Sequence, residues 1–171
     1  MGSREAAERV LHQYGQPRPK DADIIADACL RCNSIRFAQR VAAERRGAQV
    51  RFYVFDNPAG ASFHSAEVPA VWGTADVLTV PDGSVNTSEA LVHKMQALWT
   101  TFAKGEDVGR LMPEWPGVPP RSVKDLSIHA MVLGDQDRVL QIDTSHCAAW
   151  EAATDAIGGF STARMCMNFY S

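Results

Sequence analysis

Residues 60–73 read GASFHSAEVPAVWG, a histidine, His64, among small residues with a glutamate, Glu67, three places on. An imidazole titrates near neutrality, so it can take a proton and later return it, as a general base and acid must. A second spacing with chemical content is Cys29-x-x-Cys32. With His146 and either Cys147 or Cys166 it would complete a zinc shell at ~2.0–2.3 Å. That pair sits inside a helical pattern, without a tight turn or a second C-x-x-C, so two buried helical cysteines are the plainer account. Outside the zinc alternative, His12, His93, His129 and His146 read as surface or loop histidines.

The elements that must position these groups follow from periodicity. Ala6, Ala7, Val10, Leu11 and Tyr14 recur at helical spacing over 3–14, and Gly15 closes the pattern. After the breaker QPRPK, a helical stretch in one or two pieces starts at Asp21 or Asp23 and ends at Gly47, with Ile24, Ile25, Ala28, Ile35, Phe37, Ala38 and Val41 as its apolar set. The run QVRFYVFD is apolar on both alternating faces, which predicts a strand at about 50–55 covered on two sides in an α/β sheet. The histidine loop follows the C-terminal end of that strand, where open α/β sheets place ligands. Thr87, Ser88 and Glu89 open a helix to about Lys104 with an apolar stripe of Leu91, Met95, Leu98, Trp99 and Phe102. Residues 106–121 read as an irregular surface segment, and 131–135 with 138–143 as a small hairpin. The tail starts helical and becomes irregular over 151–171.

The 171 residues are 46% apolar and 22% charged, enough for one domain of ordinary size with a real core. A net charge of −3 offers no basic field for nucleic acid or an anionic membrane. The arginines of RVAAERRG read as a solvated helix end. No apolar run approaches the ~20 residues of a membrane span. The charged N-terminus lacks the apolar region of a secretory signal, and Ala6 stands where a myristoylation motif wants Ser or Thr. Compartment is therefore unread.

The strand FYVFD, the loop with His64, Glu67, Pro69, Trp72 and Gly73 in register, the helix MQALWTTFAKGED and the pair Trp115-Pro116 occur in a particular succession. Over about residues 21–150 this succession resembles the C-terminal third of the carboxylesterase type B (cholinesterase-like) family of α/β-hydrolases. The resemblance implies an α/β fold: the last core strands of an α/β-hydrolase with flanking helices and a small C-terminal hairpin, one incomplete domain. It implies hydrolysis of a carboxylic ester without a cofactor, His64 acting as the base of a Ser-His-Glu/Asp triad. Glu67 becomes a residue that holds the loop by hydrogen bonds, and Val68, Val71 and Trp72 pack to fix where the loop sits. Ala70, the shortened loop before His64 and the Gly-Val-Pro-Pro after Trp115-Pro116 depart from the family pattern and bear on substrate preference.

The triad partners are missing. No serine stands in the G-x-S-x-G turn of the nucleophile elbow, and no glycine-rich oxyanion loop is present. In the family, serine and acid precede the histidine, yet only 63 residues precede His64. The expectation is a fragment, inactive alone, because each lost oxyanion donor is worth ~10²–10³ in rate. A strand stripped of its neighbours is also expected to self-associate through its exposed edge. Two other readings stand beside the esterase: a non-catalytic cholinesterase-like module for adhesion or protein binding, and the thiol or zinc site at Cys29 and Cys32.

Overall fold

A computed structural model of the chain describes residues 3–13, 21–45, 47–56, 65–74, 87–120 and 127–156. The class is mixed α/β, and the chain divides into two compact units. The first comprises Met1–Val50, Pro119–Ile128 and Ile142–Ser171; the second comprises Arg51–Val118 and His129–Gln141.

The first unit is helical. It contains α1 (Ser3–Gln13), α2 (Asp21–Ala26), α3 (Cys32–Glu44) and a helix late in the chain at Ser145–Ala156. Between α2 and α3 the chain never leaves helical dihedrals, but one turn, Asp27–Arg31, widens into a π-helix. The Cys32 N–H donates to the Asp27 carbonyl, five residues back, which is the signature of that turn. The Asn33 side-chain amide donates to the carbonyls of Ala28 (3.1 Å) and Cys29 (3.3 Å), binding groups that the changed register would leave short. The buried face of α3 is Cys32, Ile35, Ala38 and Gln39. Phe37, grouped with the apolar set by its type, lies off that face and is 70% exposed. Arg45 turns extended, and Gly47 takes a positive φ of 84° that suits its lack of a Cβ.

The second unit holds most of a three-stranded sheet of order β1-β2-β3, with β1 (Tyr53–Phe55), β2 (Ser127–Leu133) and β3 (Arg138–Asp143). β1 runs parallel to β2, with Tyr53 opposite Met131, Val54 opposite Val132 and Phe55 opposite Leu133. The sheet is mixed, as the short turn between β2 and β3 requires. The predicted hairpin is present, although its first strand starts four residues earlier than the pattern suggested, at Ser127 rather than 131. Two helices follow β1: α4 (Val68–Trp72) and α5 (Glu89–Ala103); the helix Ser145–Ala156 is then α6. The tail expected to be irregular from 151 therefore stays helical through Ala156.

α5 forms because its apolar residues lie on one face and its ends are well signalled. Extended Ser88 caps it, its Oγ accepting from the Leu91 N–H at 3.3 Å. Leu91, Met95 and Leu98, each at most 2% exposed, pack with Ala70, Met112, Trp115, Met131 and Leu133 into one core. The stripe ends sooner than its spacing suggests: Phe102 is 70% exposed. The segment 106–118 is less superficial than its prolines imply, because Met112, Trp115 and Val118 are buried. It is fastened to the start of β1 from both directions. Arg51 donates to the Trp115 carbonyl and pairs with Asp107 at 3.1 Å, while the Trp115 indole donates to the Phe52 carbonyl at 3.0 Å.

Candidate functional site

The first candidate lies at the C-terminal end of β1. The Asp56 N–H donates to the Leu133 carbonyl at 2.9 Å, and both terminal nitrogens of Arg138 hold the Asp56 carboxylate at 3.1 Å. Gly134 permits this approach, since a Cβ there would lie 2.9 Å from the Asp56 carbonyl oxygen. The neighbouring turn is tied to α5 by polar bonds: Lys94 Nζ donates to the Gly134 carbonyl (3.0 Å) and to Asp137 (2.7 Å), and Ser88 donates to Asp135 (2.6 Å). The C-terminal end of β1 is therefore a well-anchored point of departure for the segment bearing the histidine. His64 itself lies outside the described residues.

The described chain resumes at Ser65, whose φ of 69° is left-handed, a conformation that costs a non-glycine residue ~1–2 kcal/mol. Its carbonyl accepts from the Val68 N–H at 3.1 Å and so starts α4. Glu67 is the N-terminal cap residue, and its carbonyl accepts from the Val71 N–H at 3.1 Å. The expected loop-holding bond from its side chain is not made to the helix terminus, for the carboxylate caps no N–H of α4. Its charge is felt by Tyr53: burial first, and then Glu67, push the phenol up to about 12. Tyr53 also meets Trp99 edge-on, with ring centroids 5.1 Å apart.

The packing that seats α4 falls on other residues than those expected. Val71 packs against the core, but Val68 is 42% and Trp72 74% exposed, while Ala66, Pro69 and Ala70 are buried. With only five helical residues, α4 can turn one narrow face inward, and small residues occupy it.

The second candidate is in the first unit. Cys32 at the start of α3 and Cys147 in the first turn of α6 form a disulfide with Cα atoms 5.2 Å apart. Cys29 is disulfide-bonded too, and Cys166 lies outside the described residues. The account of Cys29 and Cys32 as plain buried helical thiols therefore gives way to cross-linking. His146, read as a surface residue apart from the zinc alternative, has a side chain only 16% exposed. Its Nε2 lies 3.2 Å from Asp27, whose carboxylate is 3% exposed and also meets Arg31 at 2.5 Å. Among the described residues, one ligand atom each from Cys32, His146 and Cys147 lie within 4.8 Å of one another. α6 starts where Asp143 accepts the Ser145 N–H at 2.8 Å, a bond that lowers the Asp143 carboxyl below its ordinary value.

Asp27 escaped the sequence reading because a lone acid in a helical pattern looks solvated. The available signal was its place beside Ile24, Ile25 and Ala28 on an apolar stripe, which argues for a buried and therefore paired carboxylate.

No helix among the described residues is long and apolar enough to cross a membrane. Compared with known protein families, curated proteins and solved structures, the chain matches none.

Proposed function

We propose that this chain contributes the base-bearing part of a serine carboxylesterase of the type B kind, the C-terminal portion of an α/β-hydrolase fold. In this reading His64 takes the proton of a serine hydroxyl and later delivers it to the leaving alcohol. The observation that carries it is the parallel pairing of β1 with β2 on either side of α5 in the chain. Parallel neighbours require such a crossover, and α/β sheets carry their reacting groups beyond the C-terminal ends of their strands. His64 follows β1 in that direction along the chain, after the anchor of Asp56 on Leu133 and Arg138. The reading requires a nucleophilic serine and oxyanion donors from outside these 171 residues, since no G-x-S-x-G occurs within them.

The test is capture of the natural polypeptide with an antibody to residues 145–156, followed by labelling with a fluorophosphonate, which marks activated serines. The expected result is a labelled polypeptide that hydrolyses a short-chain p-nitrophenyl ester and loses that activity on His64→Ala. A captured polypeptide that takes no label and cleaves no ester would overturn the reading and favour a binding module.

A further inference from the structure

We propose that Cys32, His146 and Cys147 form a redox-gated site for a soft divalent metal such as Zn²⁺, closed when the two sulfurs are joined and open when they are reduced. The inference is independent of the esterase reading and concerns the first unit alone.

Three observations carry it. One donor atom from each of the three residues already lies within 4.8 Å of the other two. In a tetrahedral shell with bonds of ~2.3 Å to sulfur and ~2.0 Å to nitrogen, neighbouring donors sit ~3.5–3.8 Å apart, so reduction must let the two bonded sulfurs move apart to that spacing beside His146. The donor set is also chemically coherent, because two thiolates and an imidazole suit Zn²⁺ rather than a hard cation. Finally, the Asp27 carboxylate stands 3.2 Å from His146 Nε2 and is 3% exposed. A carboxylate beside the ring is the kind of neighbour that orients a metal-bound histidine. Cys32 and Asp27 are held in register by the π-turn that joins them.

The chemistry balances with a dithiol as reductant. The dithiol gives two electrons and two protons to the Cys32–Cys147 bond and becomes a disulfide, leaving two thiols on the protein. The metal then displaces both thiol protons and keeps its charge of +2, and water takes the remaining position. The S–S bond and the metal exclude each other, because a disulfide sulfur offers no thiolate.

The experiment uses the full chain and Co²⁺ as a spectroscopic probe. The protein is reduced with a trialkylphosphine, which water converts to its oxide, the phosphine is removed under argon, and Co²⁺ is titrated in. One Co²⁺ per chain is expected, with thiolate-to-cobalt charge-transfer absorption, and none before reduction. Cys29→Ser should keep the spectrum, whereas Cys32→Ser with Cys147→Ser should abolish it. Asp27→Asn should weaken affinity by about 10–100-fold while preserving the charge-transfer band. Far-UV circular dichroism of each reduced variant separates loss of ligands from loss of fold. The proposal is overturned if reduced, helical protein takes up no Co²⁺, or if the double serine variant binds it with the same spectrum.

Discussion

Between Arg51 and Val118 the chain buries long apolar side chains, Leu91, Met95 and Leu98 against Trp115, whereas the helices of the first unit bury a carboxylate and join two elements through sulfur. In the second unit order comes from area removed from water, and its polar bonds hold turns at the rim of the sheet. In the first unit, Val10, Ala28, Ile35, Ala38 and Ile128 are, besides Cys32, the apolar residues buried among those described, a thinner set. There a covalent tie and the Asp27–His146 pair accompany the helix packing. The lesson is that similar helical periodicity can rest on two different energetic foundations, and that only one of them responds to the redox state of the solution.

The largest test of this contrast removes the tie. The Cys32–Cys147 bond spans a sequence separation of 115 residues, so on the loop-entropy account its loss should cost the first unit ~4–5 kcal/mol in urea unfolding. Next in size, Met95→Ala should cost the second unit ~2–5 kcal/mol, because the side chain is fully buried among well-packed neighbours. The helical signal of the first unit should survive that substitution.

How much of this could be read in advance follows the range of the interactions. α5 was legible because its stripe and its Ser88 cap are both local, and the β2–β3 hairpin because its turn is short. The parallel register of Tyr53 with Met131 was not, since nothing near Tyr53 specifies a partner so far along the chain. The same holds for the Asp27–His146 pair and for the choice of Cys147 by Cys32, which local patterns do not encode. Trp72 misled for another reason: the family resemblance gave it a packing role, but a helix as short as α4 seats itself with Pro69 and Ala70. His64 lies outside the described residues, so its place follows from the sequence alone.

A smaller effect should appear at alkaline pH. Tyr53 has a folded pKa of about 12, above its ordinary 10.0, so the fold favours the neutral phenol. The associated stability is fully present below pH 10 and is lost as the pH rises through about 12. A second-unit melting profile across that window should show the loss, and Glu67→Gln should reduce it only in part, because burial is the larger cause. Smallest of all, Trp72→Ala should change thermal stability by less than about 0.5 kcal/mol, as expected of a side chain 74% exposed. A change several times larger would mean that Trp72 is covered and would return it to the packing role the resemblance implied.

The measurement closest to the central contrast is hydrogen exchange of the intact chain with and without a thiol reductant. On reduction, amides of α3 and α6 should lose protection while those of α5 and β2 keep theirs. Equal loss in all four elements, or none in α3 and α6, would contradict the division between a sulfur-tied unit and one held by its apolar core.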